Sequence, residues 1–274
     1  MLTPDNVRLI LLLCLLLLVQ LLGAQPFTPP LLGTPGDDQL LGTNGPDWIF
    51  GNGGKDVILS LAGDDHVFVG DDASVVNGDV GDDWLYGGAN ADYLEGGPGD
   101  DVLDGAGGDD VLFGRDGDDG LSGGSGHDGV YGNEGNDLME GGPGNDTMLG
   151  GPGDDRMYGD EGDDFMIGGS GANALSGGPG SDTLHSGSGA ETLEAGTGDD
   201  TLVLEVGDVP SGQVETLDGG EGEDTLALIG FGVLEVQTPD FSLVDPQTGG
   251  RYQIRGVEQV EFLEAAEATD EPEE

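Results

Sequence analysis

From Gly33 onward a single apolar position recurs every nine residues. Leu40, Ile49, Ile58 and Val67 open the series, and Met139, Met148, Met157, Met166 and Leu202 carry it to its end. A nine-residue spacing fits neither the 3.6-residue period of a helix nor the sustained alternation of a long strand. Cut at that interval, residues 33–203 give nineteen consecutive units without insertion or deletion, beginning GTPGDDQLL, GTNGPDWIF and GNGGKDVIL and closing with AGTGDDTLV. The last three residues of a unit, polar, apolar and variable, are too few for a helix and suit a brief strand with the eighth side chain facing inward. The six before them are rich in glycine and suit a turn. One unit alone has nothing to bury its apolar side chain against. Two units per coil would solve this: units 18 residues apart in sequence would lie above one another at the ~4.8 Å strand spacing, and the eighth-place side chains would line a thin shared core. The expected fold is an all-β solenoid.

The turn positions add chemistry. The fourth residue is Gly in seventeen of the nineteen units, failing at Asp72 and Asn90; the sixth is Asp in sixteen, failing at Ser74, Asn173 and Glu191. Glycines at the first and fourth places are expected to allow positive φ and close backbone approach. The sixth-place carboxylates are Asp38, Asp47, Asp56, Asp65, Asp83, Asp92, Asp101, Asp110, Asp119, Asp128, Asp137, Asp146, Asp155, Asp164, Asp182 and Asp200. Stacking the units stacks these acids as well, in a chain that holds 56 acids against six bases and carries a formal charge of −50. Such a composition reads as disordered unless a cation holds it together. Calcium, a hard ion taking six to eight oxygens, is expected between successive turns, bound by Asp oxygens and turn carbonyls at all sixteen positions. Two columns of units leave room for up to about 17 ions. Nucleic acid and anionic membrane surfaces are excluded as partners, because both demand clustered Lys and Arg.

The units GGPGNDTML (141–149), GGPGDDRMY (150–158) and GGPGSDTLH (177–185) resemble the repeat-in-toxin (RTX), or haemolysin-type calcium-binding, family. The resemblance implies a right-handed parallel β-roll, calcium in the turns, calcium-dependent folding and secretion. A further copy, GGEGEDTLA (219–227), follows a 15-residue interruption, and RYQIRGVEQVEFLE is similar to the β-rich closing segment of such proteins. Residues 204–263 are therefore expected to cap the roll, and the acidic residues 264–274 to be disordered. Before the roll, the apolar run LILLLCLLLLVQLLGA after Arg8 would be about 24 Å long as a helix at ~1.5 Å per residue. Residues 1–24 are thus expected to be a signal peptide, with an uncleaved membrane anchor as the alternative, and residues 25–32 a short linker. Cys14, the only cysteine, lies inside that run, so the exported part would contain no disulfide. Family members leaving by the one-step type I route carry an uncleaved C-terminal signal instead, so Sec-type export to the extracellular space, or to the periplasm, is expected here.

Other matches are weaker. GLSGG at 120–124 fits the GxSxG nucleophile pattern, but it lacks a strand-to-helix elbow and is accidental in a chain with 57 glycines. Lys55 after Gly54 lacks the rest of a phosphate loop. His66, His127 and His185 fall at the seventh, fifth and ninth places of their units and are expected as solvated surface. An EF-hand is excluded for want of flanking helices and a closing Glu. The chain is therefore expected not to be an enzyme but an exported calcium-binding structural or adhesive module, with calcium and a cell-surface or matrix component as partners. The repeat region of a secreted hydrolase, or a polysaccharide- or ice-binding module, are the alternatives. Ninth-place residues should face away from the core. Phe113, Tyr131, Leu149 and Ile167 in one column, and Phe50, Phe68 and Tyr86 in the other, would form apolar stripes, either covered by the segment after Val203, used for self-association, or reflecting strand preference alone.

Overall fold

The computed structural model describes residues 29–205, 214–229, 241–244 and 251–263. The expected leader 1–24, residues 25–28 of the linker and the tail 264–274 lie outside the described residues. The chain divides into residues 1–30 and a unit running from Leu31 onward, which holds all the described strands.

Each of the nineteen nonapeptides supplies one strand, from Gln39–Leu41 in the first to Thr201–Glu205 in the last. Even-numbered units build a 13-stranded sheet, the even sheet, and odd-numbered units a 12-stranded one, the odd sheet. Within the repeats every pairing is parallel and joins residues 18 apart, as in Ile49 with Val67, Leu40 with Ile58 and Val130 with Met148. The result is a parallel β-roll of about ten coils, with no helix among the described residues. Its core is one side chain deep from each sheet. All nineteen eighth-place residues are buried, and only Leu40 in the first unit is as much as 9% exposed. The run Met139, Met148, Met157 and Met166 lies fully buried at the centre, where an unbranched thioether adapts to a narrow space.

The structure revises the length of the interruption after Val203. Thr192 pairs with Thr216 and Thr201 with Thr225, an offset of 24 in place of 18, so six residues are inserted, not fifteen. Val214–Glu221 thus brings the closing places of a further unit into the stack, with Glu215 sixth and Leu217 eighth, both fully buried. Counting back along the sequence, Pro210 and Gln213 stand where the first and fourth glycines would be, which hid this unit from a search for the repeat. Beyond the further copy at 219–227, Arg251–Arg255 joins the even sheet and Gln259–Leu263 the odd one, both in parallel. Phe241–Val244 then pairs antiparallel with Arg251–Arg255 and ends the even sheet. The reversed strand breaks the parallel stacking at the end of the even sheet, while the odd sheet ends on the parallel strand Gln259–Leu263.

Candidate metal-binding turns

Three places in the turn are set by space. At the fourth place, Gly117 has φ +142°, and a Cβ there would lie 1.8 Å from the carbonyl oxygen of Gly99 one coil below. Only glycine admits that conformation and that approach. The first place differs from expectation. First-place glycines do not have positive φ; in most units the second residue does, including Arg115 (+92°) and Asn133 (+75°). What the first glycine provides is room. A Cβ on Gly132 would stand 2.1 Å from Oδ2 of Asp137 in the same unit and 2.9 Å from the carbonyl oxygen of Gly150 in the coil above.

The sixth-place acids fill that room. Every one except Asp38 is buried, and its two oxygens do different things. Oδ1 accepts the backbone N–H of the sixth residue one coil earlier: Asp101 N–H donates to Asp119 at 2.7 Å, Asp119 to Asp137 at 2.9 Å, and Asp110 to Asp128 at 2.7 Å. The ladder runs on through the exceptions. Ser74 Oγ accepts from Asp56 at 3.2 Å and Asn173 Oδ1 from Asp155 at 2.8 Å. It also extends past the repeats, where Asp200 donates to Asp224 and Asp224 to Glu258. One oxygen of each such Asp is thus engaged by the backbone, which leaves Oδ2 for an ion.

Oδ2 points into its own turn. In Asp38, Asp47 and Asp92 it accepts the N–H of the second-place residue, Thr34, Thr43 or Gly88. In the other thirteen predicted acids, and in Asp224, Oδ2 is buried with no hydrogen-bond donor. A buried carboxylate oxygen without a donor or counter-charge is costly. Burial, reinforced by the neighbouring carboxylates and only partly offset by the ladder N–H, pushes Asp83, Asp110, Asp119, Asp146 and Asp182 up to about 7 and Asp101 to about 8. Among the described residues no three Asp, Glu, His or Cys side chains converge on one point. The inner ladder offers at most one carboxylate per turn, so any ion held there must take most of its oxygens from backbone carbonyls, as a hard, many-coordinate cation can.

The chain carries the matching family signature over this region. Six segments, 32–67, 60–94, 68–103, 95–130, 131–166 and 167–202, fit the family described as RTX calcium-binding nonapeptide repeat. The chain belongs to the RTX calcium-binding repeat family. Among curated proteins no relative matches it. RTX repeats bind Ca2+ in general, and the turns of this roll fit such an ion: an orphaned oxygen aims into most of them, in the room that the first glycine leaves for it.

The unit at 69–77 departs from that fit at two places at once. In residues 69–77 the ligand position is Ser74, and the first place is Val69, a fully buried side chain larger than the glycine, serine or alanine found at the first place of the other units. The lost carboxylate and the filled space occur in the same turn. Asp224 is the converse case, since its carboxylate has the ladder bond and the orphaned oxygen of the predicted acids. The repeat GGEGEDTLA was visible in the sequence, and its acid could have been added on that signal.

The remaining motifs resolve structurally. Fifth-place residues form a second, outer ladder running the opposite way: Asp118 N–H donates to Asp100 at 3.0 Å and Asn145 N–H to Nδ1 of His127 at 2.8 Å. His127 is exposed, as expected, and is also a ladder member. His66 departs from expectation, lying between the rings of Trp48 and Trp84 at 4.4 and 5.5 Å. Ser122 of GLSGG ends a short strand on the outer face of the even sheet, and the Lys55 N–H donates to Asp37 in the outer ladder.

Proposed function

We propose that this protein is an exported calcium-binding β-roll whose folding depends on the ion and whose role is structural or adhesive rather than catalytic. The observation that carries the reading is the column of buried, donor-less Asp Oδ2 atoms, most of them in the room left by a first-place glycine. The sixteen predicted acids, with Asp224, would each contribute Oδ2, and carbonyls of adjacent turns the remaining oxygens. Calcium would supply positive charge inside a stack of carboxylates, up to about 17 ions by the count of gaps between turns. The apolar run at residues 9–24 supports export. Titrating calcium into chelator-treated protein and following the β signal by circular dichroism tests this. The expected result is a largely unfolded chain without calcium and a cooperative gain of β structure on adding it. A β spectrum unchanged in excess chelator would refute the proposal.

A further inference from the structure

The outer face of the even sheet begins with two columns of rings. Trp48, His66 and Trp84 stack at the seventh place, and Phe50, Phe68 and Tyr86 at the ninth, with the phenyl and phenol ring centroids 5.0–5.1 Å apart and their planes within 9° of parallel. Both columns stop at the coil of Trp84 and Tyr86. The next strands carry Val102 and Asp104, then Gly120 and Ser122, then Leu138 and Glu140. Because Val102 and Gly120 are short, the sheet dips there, leaving an open depression of about 220 Å³ walled by Tyr86 on one side and Leu138 and Glu140 on the other.

We propose that this depression, from Tyr86 to Glu140, binds an extended amine-bearing glycan chain. Asp104, Ser122 and Glu140 stand in one line across three adjacent strands, so the two carboxylates are about 10 Å apart at ~4.8 Å per strand. None of the three side chains has a hydrogen-bond or ion-pair partner among the described residues. They are therefore acceptors awaiting donors. The lining contains two acids and no base, so charge complementarity selects a cation, and the overall charge of −50 opposes any anionic chain. The ring wall adds a second requirement. A saccharide ring presents a flat C–H face that packs on an aromatic ring, with hydroxyls and an amine at its edge for the acceptor row; a basic peptide supplies the charge without that face.

The inference rests on the calcium reading only in needing a folded roll, and circular dichroism of each sample in saturating calcium separates failure of folding from failure of binding. The experiment is calorimetric titration of the full chain with a glucosamine hexamer, an N-acetylglucosamine hexamer and hexalysine. The glucosamine hexamer is expected to bind about tenfold or more tighter than either of the others. Tyr86→Ser should weaken it by up to about tenfold, the range of a lost ring contact. The near-isosteric pair Asp104→Asn with Glu140→Gln should weaken it by about tenfold or more. Glu194→Gln with Glu261→Gln removes the same charge from exposed acids outside the depression and should change affinity less than twofold. Equal binding of hexalysine would show general attraction of a polycation, and equal binding of the N-acetylated hexamer would show that the amine is not read. Either result overturns the proposal, as does a loss in the control pair matching that in the Asp104 and Glu140 pair.

Discussion

At the residue scale the turn is a matter of who occupies a few cubic ångströms. The first-place glycine and the sixth-place aspartate are partners: the absent Cβ of Gly132 is what lets Asp137 Oδ2 sit 2.1 Å from where that atom would be. The unit at 69–77 inverts the pair, with Val69 filling the space and Ser74 lacking the carboxylate. Restoring both, by Val69→Gly with Ser74→Asp, should add calcium to the stoichiometry measured by calorimetry and raise the thermal midpoint in calcium. Ser74→Asp alone should bring a carboxylate against a buried isopropyl group and gain neither. An unchanged ion count in the double variant would show that the turn, not the pair, determines occupancy.

At the element scale the ladders matter more than single sites. Each inner Asp ties its coil to the one below through Oδ1 and leaves Oδ2 exposed to its neighbours' charge. The acids of the even column, Asp83, Asp101 and Asp119, are held near 7 to 8 by burial first and by adjacent carboxylates second. The sign follows from linkage. A carboxyl whose folded pKa lies above its unfolded value of about 3.9 binds more protons folded than unfolded across the interval, so stability falls as pH rises through it. In chelator, the roll should therefore hold more β structure at pH 5 than at pH 8, and saturating calcium should flatten the difference. Circular dichroism at the two pH values, with and without calcium, reads this directly. A metal-free chain more ordered at pH 8 would mean that the stacked acids are not the obstacle to folding.

At the scale of the whole molecule, a solenoid with so thin a core depends on how its ends are finished. Stability in such a stack is close to a sum over coils and their interfaces, and an uncapped end exposes both apolar side chains and unpaired backbone. The cap does more than cover. Tyr252, Ile254 and Val257 are buried in continuation of the core, and Glu258 closes the inner ladder by accepting from Asp224 at 3.0 Å. Deleting residues 204–274 should raise the calcium concentration at which the β signal appears and lower the thermal midpoint, with the repeats still folding at high calcium. Identical calcium midpoints for the two chains would show that the roll terminates itself. The aromatic columns face outward, and the described cap strands stack on the end of the roll instead of folding back over them.

The period alone determined a good deal. A nine-residue spacing of one apolar residue, six turn residues and a fixed acid admits a two-unit coil and little else, so strand positions, the 18-residue register and the inward eighth place were legible without coordinates. Even the failures at Ser74, Asn173 and Glu191 were visible as breaks in that pattern. What the sequence did not disclose depends on atoms from different coils meeting. Oδ1 of Asp119 engages the N–H of Asp101, a partner 18 residues away, and no local spacing reveals which oxygen that contact consumes. Which glycine takes positive φ, and which merely keeps space clear, is likewise decided by the carbonyl of the next coil. Glu215 entered the stack with neither the first nor the fourth glycine to mark its turn, because backbone pairing from Thr192 to Thr216 holds the register across six inserted residues. Sequence pattern sets the repeat, and contact between repeats sets the chemistry of each turn.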